Sequence, residues 1–107
     1  VPNTECPLPA DSQVYTVPGT NLTFLRSCAT DYPGNDMAKY PVASMSDCLL
    51  LCAQLNLYPS SSLGRCRGVS WVYGEGPQGL NNSFCFPKNV MSSSMGKGSV
   101  ESAVLLT

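Results

Sequence analysis

The sequence predicts a small α+β domain in which one helix lies on an antiparallel sheet and is tied to it by disulfides. Three observations carry that expectation. The 107 residues are 43% hydrophobic and 12% charged. That is about half the usual charged share of roughly 25%, a composition that favours a globular, β-leaning chain over a charged helical bundle. The six cysteines are an even number in a chain long enough for one domain and short of two, the setting in which a disulfide framework is the ordinary reading. One uninterrupted helical stretch stands among short β-branched and aromatic segments separated by turn signals.

Residues 1–11 read as a lead-in: the opening VPNTECPLPA carries three prolines, which deny a ladder its N–H donors, and Cys6 anchors it to the domain at 12–107. Val14-Tyr15-Thr16-Val17 and Leu22-Thr23-Phe24-Leu25 read as a hairpin, because Pro18-Gly19-Thr20-Asn21 between them combines proline's fixed φ with glycine's freedom. Residues 30–36, TDYPGND, read as a loop for the same reasons. Ser44-Met45-Ser46-Asp47 starts the helix, with the serine as N-cap and the acid facing the helix dipole; Cys48 to Leu55 contains no breaker, and Asn56 with Pro59 supplies the stop. Cys48, Leu51, Cys52 and Leu55 follow a 3.6-residue repeat, which points both sulfurs into the core.

Ser60-Ser61-Ser62 with Gly64 reads as a flexible connection, and Cys66 to Tyr73 as a central strand. Gly74 to Asn82 is turn-rich. Ser83-Phe84-Cys85-Phe86 is a second strand, ended by Pro87. Residues 92–99, SSSMGKGS, read as a mobile surface loop, and Val100 to Leu106 as a closing edge strand.

The charge of −1 offers no basic stripe for a phosphate backbone, which excludes nucleic acid as an expected partner. The absence of histidine removes the commonest general base and zinc ligand. No apolar run approaches the roughly 18 residues of a membrane helix, and no signal-like start is present, so the expectation is a mature secreted chain whose leader has been removed. Two sequons, at Asn21 and Asn81, fit that compartment. Structural zinc is the competing use of cysteine. It calls for C-x2-C pairs, whereas Cys48 and Cys52 are separated by three residues and the other cysteines stand alone.

If the helix lies on the sheet, its two sulfurs need partners beneath it, and Cys66 and Cys85 are the cysteines placed inside strands. With the helix Cys48 to Cys52, the strand Cys66-Arg67-Gly68-Val69-Ser70-Trp71, the segment Cys85-Phe86-Pro87-Lys88 and the earlier Cys28 to Asp36, the chain resembles the PAN/Apple domains, and specifically their fungal secreted members, over roughly residues 12–107. The resemblance implies a twisted antiparallel sheet of about five strands crossed by one helix, with Cys48 bonded to Cys85 and Cys52 to Cys66. Cys6 to Cys28 then follows by exclusion. Six cysteines alone permit 15 pairings.

Counting alternation from Cys66 places Gly68, Ser70 and Val72 on the helix side. It sends Arg67, Val69, Trp71 and Tyr73 to the opposite face, joined there by Phe84 and Phe86. Such a face suits sugar stacking or a protein hot spot. The alternative is that loops or the N-terminal segment cover it as a second small core. Asp31, Asn35 and Asp36 have oxygen ligands of the calcium type, though around Pro33-Gly34 their ordinary work is turn formation. Arg65 and Arg67 flank Cys66 and suit an anion or a solvated surface. Met37, Met45, Met91 and Met95 share no spacing and read as filling. No cofactor is implied.

PAN/Apple domains generally bind proteins or carbohydrates, so the resemblance implies a secreted, non-catalytic module engaging carbohydrate or extracellular protein through Trp71, Tyr73, Phe84, Phe86 and Arg67. The alternative is a secreted effector or inhibitor presenting the loop Gly74-Glu75-Gly76-Pro77-Gln78-Gly79 to a target. An enzyme is not expected: without histidine the available apparatus is a carboxylate pair, as in glycosidases, and acids such as Asp31 and Glu75 form no recognisable pair.

Overall fold

The computed structural model describes Cys6, Leu8 and residues 13–57, 64–73 and 83–106. Strands β1 (Val14–Thr16) and β2 (Thr23–Ser27) form the expected hairpin, with Tyr15 opposite Phe24. Its turn follows from Pro18-Gly19. Gly19 has a φ of 80°, the left-handed value required after a proline in a type II turn, and the Thr20 N–H donates to the Val17 carbonyl at 3.1 Å.

The 30–36 segment contains a two-residue strand, β3 (Thr30–Asp31), before the Pro33-Gly34 turn, and β4 (Tyr40–Pro41) follows. Helix α1 (Met45–Leu57) starts where Ser44 predicts: the Asp47 N–H donates to the Ser44 hydroxyl at 3.2 Å. Its buried stripe is Met45, Cys48, Leu49, Cys52 and Ala53, rotated slightly from the predicted one, so Leu51 and Leu55 sit half-buried at its flank. With α1 running on to Leu57 and Pro59 outside the described residues, Asn56 is not the predicted stop but a helical residue with a partner of its own. Its amide nitrogen donates to the Cys66 carbonyl and its amide oxygen accepts from the Cys66 N–H, both at 2.8 Å.

Strands β5 (Gly68–Val72), β6 (Phe84–Lys88), β7 (Met95–Gly96) and β8 (Val100–Leu105) complete the chain. The main sheet is antiparallel with six strands in the order β1-β2-β8-β5-β6-β4, and β3 pairs with β7 in a separate ribbon. Three expectations change here. The last strand is not an edge: β8 lies between β2 and β5, with Glu101, Ser102 and Ala103 buried. The 92–99 segment is tied down, since Met95 pairs with Asp31 and the Lys97 N–H donates to the Ala29 carbonyl at 3.0 Å. Pro87 does not end β6. Its carbonyl accepts from the Met37 N–H at 2.7 Å, so its backbone faces away from β5 and no rung of that ladder is lost.

Three disulfides join Cys6 to Cys28, Cys48 to Cys85 and Cys52 to Cys66. The two helix bridges fix which face of the sheet α1 covers. Cys85 pairs with Trp71 in the β5–β6 register, so Trp71 and Val69 share the helix side with Cys85, and Ser70, Phe84 and Phe86 point the other way. This reverses the predicted alternation. The cause is a bulge ahead of β5: the Arg67 N–H donates to the Lys88 carbonyl at 2.7 Å although Gly68 is already the ladder partner of Lys88. Two residues oppose one, and the alternation counted from Cys66 slips by one.

The far face is covered over β5 and β8. The Ser70 and Ser102 hydroxyls lie 2.9 Å apart, and Ser102 donates to the Thr30 carbonyl at 2.7 Å. Lys88, only 3% exposed, donates to the Gly34 carbonyl at 2.8 Å and pairs with Asp36 at 2.5 Å. This ties the Pro33-Gly34 turn to the sheet.

Candidate interaction surface

The five residues proposed as one binding face are divided between two. Trp71 is 0% exposed in the core beneath α1, its indole N–H 3.5 Å from the Val42 carbonyl. With no surface, it offers no stacking plane. Tyr73 is half-buried on the same side, its ring centroid 4.7 Å from that of Trp71. Phe84 and Phe86 are half-buried on the far face, where the Lys39 ammonium lies 4.3 Å from the centroid of the Phe84 ring. Arg67 is exposed at the bulge and Arg65 just before it.

Asn21 is exposed in the β1–β2 turn. Asn81, Glu75 and the loop 74–79 lie outside the described residues. Asp36 is engaged by Lys88, Asp31 lies on β3, and Asn35 is exposed beside the Pro33-Gly34 turn. Met91 has a specific task on the far face, packing over Gly68, where a Cβ would lie 2.7 Å from its Sδ.

The surface the sequence reasoning missed lies along the outer side of α1. A groove of about 530 Å³ between α1 and the edge strand β4 is lined by Tyr40, Pro41, Val42, Ala43, Leu50, Leu51 and Gln54, with Asp47 at one end. A second groove, of about 330 Å³, runs on the other side of Leu50 towards the β1 hairpin, lined by Tyr15, Val17, Pro18 and Ser46. Leu50 and Asp47 border both. Leu50 is 43% exposed and forms an apolar ridge between the two depressions.

The local cause is the Leu49-Leu50-Leu51 run. Leu49 belongs to the buried stripe, Leu51 to its flank, and Leu50 is turned about 100° from each. The signal was available: a leucine off the core stripe of a helix whose inner face is fixed by two cysteines. Among the described residues, the only charge lining either groove is the Asp47 carboxylate, exposed in the first turn of α1.

These features define an α+β domain with one helix bridged twice to a six-stranded antiparallel sheet. No family model matches the chain, and neither a curated protein nor a solved structure matches it. No helix among the described residues is long and apolar enough to cross a membrane.

Proposed function

We propose that this chain is a secreted, non-catalytic binding module of the PAN/Apple type that engages an extracellular protein through the outer side of α1. The observation that carries this reading is the Leu50 ridge between two apolar grooves on a helix anchored by the Cys48–Cys85 and Cys52–Cys66 bridges. A rigid apolar ridge beside concave surface is the geometry of a protein hot spot, and little ordering entropy is lost when it binds. Asp47 at the junction favours a partner segment with a Lys or Arg next to its apolar side chains. Burial of Trp71 weighs against sugar stacking as the main mode. Three disulfides support an oxidising compartment, and the lack of histidine supports a non-catalytic role.

Carbohydrate remains the second reading because of Phe84 and Phe86 on the far face, with Lys39 over Phe84. A displayed random-peptide selection on the folded protein tests the first. Peptides with apolar residues next to a basic one are expected to enrich on the native chain and to be lost on Leu50→Asp. Equal enrichment on Leu50→Asp refutes this surface, and polysaccharide binding that falls with Phe84→Ser but survives Leu50→Asp establishes the second reading instead.

A further inference from the structure

On the helix side of the sheet, the Cys6–Cys28 bridge lies against a buried acid. Glu101 is 1% exposed and sits on β8, where it is the ladder partner of Trp71. The pairing of Ser27 with Ser102 places Cys28, the next residue of the chain, beside Glu101. Both sulfurs and a Glu101 carboxylate oxygen lie within 4.8 Å of one another, and no other group of three or more cysteine or acidic side chains gathers so closely among the described residues. Neither helix bridge has such a carboxylate partner among the described residues.

We propose that Cys6, Cys28 and Glu101 form a reduction-dependent site for a thiophilic divalent cation of the zinc class. In the oxidised chain the sulfurs are bonded to each other. Reduction by a water-soluble phosphine breaks that bond: the phosphine takes up oxygen from water and is oxidised to the phosphine oxide, and each sulfur gains a proton. The cation then displaces both thiol protons to solvent and forms two metal–sulfur bonds, with the carboxylate as third ligand and water as fourth. Bonds of about 2.3 Å to sulfur and about 2.1 Å to oxygen let one tetrahedral ion reach donors about 3.5–4 Å apart, within the span the three side chains already occupy.

The electrostatics favour the same occupant. Two thiolates beside a buried carboxylate add more negative charge than the buried Arg26 guanidinium on the same face of β2 can offset, and a dication counters the excess. Access is selective, since Cys6 and Cys28 are half-buried whereas Cys48, Cys52, Cys66 and Cys85 are fully buried. The ion would serve the mechanical purpose of the bridge, holding Cys6 at the end of β2.

The test is anaerobic titration with cobalt(II) after mild phosphine treatment, with alkylation and mass spectrometry establishing that Cys6 and Cys28 alone are free. One ion per chain, sulfur-to-cobalt charge-transfer bands, and release of two protons per ion are expected. Zinc should displace the cobalt, Glu101→Gln should weaken binding at least about tenfold, and Cys28→Ser should abolish the bands. Absence of the bands in the selectively reduced native chain overturns the proposal. So does undiminished affinity in folded Glu101→Gln. Should Glu101→Gln not fold, Glu101→Ser carries the same expectation, and the native titration remains decisive by itself.

Discussion

Replacing Gly68 by alanine tests the bulge that sets the faces of the sheet. A Cβ at this position would lie 2.5 Å from the Ala103 carbonyl oxygen and 2.7 Å from both Cε and Sδ of Met91. The two obstacles differ in kind. Met91 is flexible and half-buried, so it can swing aside, whereas the Ala103 carbonyl belongs to β8 and is held by ladders on both sides. Overpacking of this sort costs about 1–3 kcal/mol, and an immovable backbone oxygen places Gly68→Ala in the upper half, about 2–3 kcal/mol. For a domain of this size that lowers Tm by roughly 10–15 °C. Urea denaturation of the oxidised protein measures it, in a cycle with Met91→Ala. Removing the methionine side chain should recover less than half of the loss, because the carbonyl remains. A loss below about 0.5 kcal/mol in Gly68→Ala, or full recovery in the double variant, would refute the argument that close strand approach requires glycine here.

Three further outcomes follow from the same contacts. Trp71→Ala should cost about 3–5 kcal/mol as a large core truncation, read by denaturant midpoint; an unchanged midpoint would mean the indole is not in the core. Asn56→Ala strips both backbone groups of Cys66 of their partners and should cost about 2 kcal/mol, whereas Asn56→Asp, which keeps the acceptor, should lose less. Replacing Cys52 and Cys66 together by serine opens a bridge spanning 14 positions, worth about 3 kcal/mol in the chain-entropy model, and calorimetry should show it with the Cys48–Cys85 bridge intact.

What the sequence made legible was local. The Ser44 cap, the Pro18-Gly19 turn and the Cys48/Cys52 pair each act within a few residues of themselves, and each appears where its chemistry dictates. What it hid was decided by partners distant in the chain. The placement of β8 between β2 and β5 depends on two ladders to residues at least 28 positions away, the nearest pair being Val72 and Val100. The pairing of Met95 with Asp31 joins two segments that each read as loop. The bulge at Arg67 and Gly68 is visible only from Lys88, and that one extra residue moved Trp71 from a proposed ligand face into the core.

The same slip makes the outside of α1 the better place to look for function. The inner face of the helix is fixed by two covalent bridges and by Met45, Leu49 and Ala53, all fully or almost fully buried. Folding therefore asks little of the outer face, where a polar residue at position 50 would avoid exposing apolar surface. Leucine stands there, 43% exposed, between grooves walled by Tyr40 on one side and by Tyr15 on the other. Exposed leucines occur singly on most proteins without meaning. This one is set apart by concave apolar surface on both flanks and by a rigid support beneath, and a partner covering all three would gain burial that the isolated fold leaves unused.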